Sequence, residues 1–453
     1  MEAASSVSPT VSRATLRRDV NQNIIPTPDG GYGWVCVLAQ FSINGFTWGA
    51  VASYSVYLAY YLSHHLFPET KPIDYAFIGG FNFAAALLIA PLATLLMRLY
   101  GLKTPMFLGV VLLPTGFVSG SFATKAWHLY LSQGLCVGAG VGLVYMPATT
   151  VIPQWFTRKR SLANGICAAG SGIGGLVVCF ATEGLLSTVG LTWSLRVTAA
   201  VVLLVNLIAT LLIRSRNREI EPNLQVFNFH LLAAYQVQLL LGWSVIIMFG
   251  YISLMFTLSD YALVIGRSNQ DSAVVAAVLN GGAAIGRPFI GFLSDRYGRV
   301  QVAALATLGC GILVFALWLP TTKYPPLITF ALISGSVLGI FWAAIAPLAA
   351  DVVGLEQLPA LLSIVWLFVA LPSAFAEPIV LRLKHDEFGV HAYLHAQIFT
   401  GISYIAASLL LFELWRVRRI ATRVLEPSED SKVIQPHTTT RADEEMDFCD
   451  LRR

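Results

Sequence analysis

The feature that most constrains this chain is a length that keeps recurring. From residue 33 onward, apolar residues come in about twelve runs of roughly 20, which is what an α-helix needs to cross the hydrocarbon of a bilayer. Six fall at roughly 33–61, 73–97, 104–123, 127–152, 161–186 and 193–213. Six more fall at roughly 231–258, 271–294, 300–320, 325–349, 357–381 and 393–415. Composition agrees. Of 453 residues, 56% are hydrophobic and 12% charged, about half the charge fraction of a soluble domain, and the mean hydropathy is +0.68. No ordinary core hides so much apolar surface, so lipid is the expected solvent and the expected fold class is an all-α membrane protein.

Lysine and arginine gather on one set of short loops: Arg98 and Lys103, Arg158 to Arg160, Arg214 to Arg218, Arg296 and Arg299, then Arg416 to Arg419. The opposite set holds only Lys71, Lys125, Arg267, Lys323, Arg382 and Lys384. The positive-inside rule therefore puts both termini in the cytosol. The expected organisation is a disordered cytosolic tail over 1–30, a six-helix bundle over 31–214 and a cytosolic linker over 215–230. A second bundle over 231–416 and a disordered tail over 417–453, acidic at Glu444, Glu445, Asp447 and Asp450, complete it. No apolar core precedes residue 33, so a cleaved signal peptide is not expected. The halves echo each other. APLATLLMRLYGLK (Ala90 to Lys103) aligns with RPFIGFLSDRYGRV (Arg287 to Val300), and Pro147 aligns with Pro347, at one common offset. Duplicated halves with a site between them near the midplane are a common transporter design.

Other functions fit poorly. The net charge of +4 is dispersed rather than massed on a face, which argues against nucleic acid. The six cysteines form no CxxC pair and five sit in apolar runs, so they read as small buried hydrophobes rather than metal ligands. No nucleophile–base arrangement, nucleotide loop or metal spacing points to an enzyme or a cofactor. The expected partners are a small organic substrate, the bilayer and a coupling ion such as a proton. No nucleic-acid or protein partner is evident.

GFLSDRYGR, Gly291 to Arg299, resembles the GxLxDRxGR loop of the major facilitator superfamily and sits between the second and third helices of its half. The resemblance implies a conformational role for Gly291, Asp295, Arg296, Gly298 and Arg299. Arg98 stands where the first half would carry the aspartate, so the latch is expected to be one-sided. DGGYGW (Asp29, Gly30, Gly31, Tyr32, Gly33, Trp34) resembles the signature heading the first helix in the monocarboxylate-transporter branch. There a carboxylate can cap free N–H groups, and the two rings suit a headgroup interface. WFTRKRSLANG, Trp155 to Gly165, resembles that branch's fifth-helix signature, and DYAFIGG and PQWF are similar to its fungal members. The following GSGIGG offers a groove for a neighbouring backbone.

Arg287 lies eight positions before Asp295, hence about 12 Å deeper at 1.5 Å per residue. An arginine so deep is costly and is usually functional or paired, here with a substrate carboxylate or with an acid such as Glu377. The resemblance implies the first, because the branch has a carboxylate-binding arginine at this place in its eighth helix. Two departures qualify this: Ala283 and Ala52 or Ser53 replace an acidic residue and a lysine linked to proton coupling in animal lactate carriers. Asn44, Tyr54, Tyr251, Asn280 and Trp342 are further substrate-contact candidates, with Gln133, Tyr145 and Trp366 beside them in the spans. The expected function is secondary transport of an organic acid by alternating access, leaning to efflux of a fungal secondary metabolite across the plasma membrane. Import of a nutrient acid and a non-transporting sensor on the same fold are the alternatives.

Overall fold

The computed structural model describes residues 28–425 apart from 65, 68–71, 223 and 225–227. The expectations for the far tails, 1–27 and 426–453, lie outside the described residues. Every regular element among those described is helical. The first half of the chain supplies α1 (Gly33–Tyr61), α2 (Phe77–Tyr100), α3 (Lys103–Gly120), α4 (Ala126–Trp155), α5 (160–189) and α6 (191–212). The second supplies α7 (Tyr235–Val264), α8 (Asn269–Tyr297), α9 (Arg299–Trp318), α10 (324–353), α11 (355–383) and α12 (Leu394–Leu425).

Two pairs are joined without a loop. Arg160–Leu212 is helical throughout except at Gly190, and Ile340–Leu383 except at Gly354. A straight helix over the first span would reach about 80 Å, far beyond a bilayer, so the chain has to reverse. It does so at φ 75° and φ 77°, where an L side chain is strained and glycine is not. Large apolar side chains face outward, with Ile285 73% and Phe180 67% exposed, as suits a protein whose surface meets lipid.

Lipid supplies no hydrophobic drive between helices, so close backbone approach has to hold them. Helix α5 is built for it. A Cβ on Gly174 would lie 2.2 Å from Gly45 Cα, and one on Gly170 would lie 2.1 Å from Phe41 O, both on α1. The other face of α5 meets the opposite half. A Cβ on Gly165 would lie 2.4 Å from Arg287 O, and one on Gly172 would lie 2.9 Å from Asn280 O, both on α8. This sandwich fixes where Arg287 stands.

The DGGYGW turn departs from expectation. Asp29 does not cap α1; its Oδ1 accepts the Thr157 and Arg158 N–H at 2.7 and 2.9 Å, in the α4–α5 connection. Gly33 backs onto Phe156, Trp34 meets the Phe156 ring at 5.1 Å, and Tyr32 donates its hydroxyl to Leu212 O at 2.9 Å. With Gly31 at φ 59° folding the turn back, the carboxylate reaches the neighbouring α4–α5 connection and not its own helix.

Candidate functional site

Counted from Tyr297, Arg287 lies about 15 Å along α8, half the thickness of the hydrocarbon. It is only 5% exposed. Its Nη1 donates to Ala168 O at 2.6 Å and to Ser171 Oγ at 2.5 Å, both on α5 of the other half. Its Nε is buried with no hydrogen-bond partner, against Gly339 of α10, whose hypothetical Cβ would stand 2.1 Å away. Among the described residues no carboxylate pairs with this guanidinium. Glu377, the acid that would be its alternative partner, makes no ion pair with it and lies on α11, about 9 Å before that helix ends at Leu383. A buried cation held by two neutral acceptors has spare capacity for an anion.

Beside it runs an aromatic layer drawn from both halves. The Trp342 ring lies 5.4 Å from Trp48 and 6.3 Å from Tyr145, both in the first half. It also lies 6.2 Å from Tyr251 and 5.7 Å from Trp366, nearly parallel to the latter at 16°. Under these rings is a small cavity lined by Gln40, Asn44, Tyr145, Asn164, Trp342 and Trp366, together with Ala168, the carbonyl partner of Arg287. Its volume is about 10 Å³, room for roughly one water. Gln40 Oε1, Trp48 Nε1 and Trp366 Nε1 are buried there or nearby without partners. Together with Arg287 Nε, the unmatched groups are three donors and one acceptor, a balance that favours an acceptor-rich ligand.

Of the residues singled out in the sequence, Asn44 and Trp342 line this cavity, Tyr251 packs on Trp342, and Arg287 borders it. Asn280 turns its amide to Ala276 O of its own helix at 3.0 Å, and Tyr54 gives its hydroxyl to Tyr75 O at 2.9 Å, so neither lines it. Gln133 joins Tyr61 at 2.7 Å within the first half. Gln40, Asn164, Ala168, Ser171 and Gly339 are not among the substrate-contact candidates the sequence offers, Ser171 standing out there only within the GSGIGG run. Gln40 carried a readable signal, one helical turn from Asn44 on an otherwise apolar stretch.

At the arginine-rich end the halves are latched. Asp295 Oδ1 and Oδ2 accept the Ser161 and Leu162 N–H at 3.0 and 2.8 Å, where α5 begins and its free amides and dipole favour a carboxylate. Asp351 of α10 takes Arg160 of the first half at 3.0 Å and Arg299 at 2.6 Å, and Arg299 also donates to Thr157 O. Asn164 adds a 2.7 Å bond to Ala343 O. Gly291 presses on Ser161, and Gly298, at φ 105°, ends α8. Arg296 stays outside this network, exposed and over the Tyr297 ring at 5.6 Å.

Compared with known proteins, the chain matches the Major Facilitator Superfamily over residues 36–376 and 240–440. It is 34% identical over 399 residues to the probable transporter MCH2 of Saccharomyces cerevisiae, covering 86% of this chain and 84% of that one. It is 37% identical over 435 residues to the uncharacterized transporter ESBP6 of the same yeast, covering 92% of this chain but only 64% of that one. The fujikurins efflux protein of Gibberella fujikuroi is 26% identical over 395 residues, covering 85% of this chain and 83% of its own. The fold is similar to that of the proton:xylose symporter XylE, with TM-score 0.66 at 13% identity over 84% of this chain and 95% of that one.

Proposed function

Because the chain belongs to the Major Facilitator Superfamily and is a multi-pass secondary transporter, we propose that it carries a small or medium organic acid, with Arg287 holding the carboxylate. One observation carries this reading: a midplane guanidinium, buried between the halves, with no acidic partner among the described residues and Nε unused. Arginine stays protonated and can hold a carboxylate through two parallel bonds, which suits it to an anion that must also leave. The rings of Trp48, Tyr145, Trp342 and Trp366 offer an apolar bed for the rest of the molecule. The collapsed cavity admits nothing larger than water, so the halves part to let substrate in. With the arginine-rich end taken as cytosolic, admission from the cytosol requires breaking the Asp295 and Asp351 contacts.

The monocarboxylate-porter branch, in its fungal form at the plasma membrane, is the subgroup we favour; DGGYGW and the fungal relatives support it. Export of a secondary metabolite is the favoured direction. The alanine at 283 and the neutral residues at 52 and 53 support it, as does resemblance to a fujikurins efflux protein. The test is uptake of a panel of organic acids into liposomes holding the purified protein. At least one acid is transported by wild type, and its flux falls about 30-fold or more in Arg287→Ala, the scale for losing a desolvated charge pair. Wild-type flux of every transported acid in that variant refutes the reading.

A further inference from the structure

The aromatic layer beside Arg287 contains two kinds of contact. Three pairs join one half to the other: Trp48 to Trp342 at 5.4 Å, Tyr145 to Trp342 at 6.3 Å and Tyr145 to Trp366 at 6.1 Å. Other pairs lie within a half. In the first, Trp48 meets Tyr145 edge-on at 5.5 Å; in the second, Trp342 is braced by Trp366, Tyr251 and Phe341. When the halves part for substrate, the three crossing pairs have to break while the others can hold. Opening therefore leaves two aromatic walls, Trp48 with Tyr145 and Trp342 with Trp366, on either side of the cavity.

An occupant that replaces the broken contacts has to offer what the lost rings offered. A saturated group covers the walls but has no positive edge and negative face to match them. A flat aromatic ring restores the offset and edge-on arrangements that indole and phenol rings prefer. Two polar atoms lining the cavity add detail: Trp366 Nε1, a donor, and Gln40 Oε1, an acceptor, are both buried and unmatched. A hydroxyl on the ring can accept from the first and donate to the second. Ala168 lines the cavity and takes Arg287 Nη1 on its carbonyl, so the guanidinium stands one residue away. A short spacer between ring and carboxylate suits that separation. Among the described residues no acidic side chain lines the cavity, so an ammonium group on the ligand would have no counter-charge.

We infer that the substrate is an aromatic carboxylate with an oxygen on its ring and no ammonium group, its ring held between the two walls and its carboxylate on Arg287. This inference rests on Arg287 as the carboxylate group and adds the chemistry of the rest of the molecule. Selection for the ring falls to Trp342, which takes part in two of the three crossing pairs. A leucine there keeps the wall apolar but removes its aromatic face, so acids still bind and the preference for a ring goes. A phenylalanine keeps a smaller face.

Isothermal calorimetry on the purified protein in lipid nanodiscs, with empty nanodiscs subtracted, compares four probes at about pH 7, where their carboxyls are ionised. They are phenylacetate, its saturated counterpart cyclohexylacetate, para-hydroxyphenylacetate and phenylglycine. Phenylacetate is expected to bind about tenfold more tightly than cyclohexylacetate, although the saturated ring is the more apolar. The hydroxyl tightens binding further, and the ammonium of phenylglycine weakens it. Trp342→Leu binds phenylacetate and cyclohexylacetate alike, the latter as in wild type, whereas Trp342→Phe keeps most of the preference. Equal affinity for the two rings in wild type, with both weakened in Arg287→Ala, overturns this inference and leaves the carboxylate site standing. If Arg287→Ala weakens neither, both fall. A preference undiminished in Trp342→Leu overturns the inference too, as does phenylglycine bound as tightly as phenylacetate, or a wild type that binds none of the four. A hydroxyl without effect strikes the ring oxygen from the assignment.

Discussion

Arg287 is set apart less by its depth than by what surrounds it. Ala168, Ser171 and Gly339 are small, so the guanidinium lies in a groove with neutral acceptors on one side and no side chain on the other. A methyl group at position 339 would stand 2.1 Å from Nε, so Gly339→Ala has to push the guanidinium off its seat. The expected outcome is an apparent KM for a transported acid raised about tenfold, the effect of about 1.4 kcal/mol, with the fold retained by circular dichroism. An unchanged KM means the seat is not where substrate binds. The depth of Arg287 was legible from its spacing to the DRYGR loop. Its seat was not, because alanine, serine and glycine carry no chemical signature, and Ala168 and Ser171 meet it only across the halves while Gly339 comes from another helix of its own half.

Among the helices, α5 carries the most consequence, since it touches α1 on one side and α8 on the other. Gly165→Leu drives a side chain into the Arg287 carbonyl, 2.4 Å from where even a Cβ would be. Overpacking of this kind keeps the halves from closing at the arginine-rich end, and transport is expected to fall below about a tenth of wild type while the helices survive. Flux together with circular dichroism checks it. Asp295→Asn acts on the same contact through electrostatics: the start of α5 loses its carboxylate, so cycling slows and substrate binding is largely kept. Stopped-flow flux alongside equilibrium binding separates the two effects, and lost binding with a normal fold contradicts the assignment. The twelve apolar runs were plain in the sequence because the bilayer fixes their length. Asp29 was misplaced because a cap is read from neighbours in sequence, and its true partners at Thr157 and Arg158 lie over a hundred residues away. Asp351 escaped notice because it falls at a helix end, where acids are common and usually solvated.

On the scale of the whole molecule, the described polar ties between halves run from the midplane to the arginine-rich end. Arg287 to α5 is the deepest, Asn164 comes next, and the Asp295 and Asp351 contacts close that end. These contacts give an alternating carrier a lock of ion pairs and carboxylate–amide bonds at one face. That lock does not decide what passes; that depends on the arginine. Isothermal calorimetry of a transported acid and of its neutral amide, on wild type and on Arg287→Ala, addresses it most directly. The account predicts that wild type prefers the acid by about tenfold or more and that the preference vanishes in the variant. An acid preference that persists without the guanidinium would contradict it.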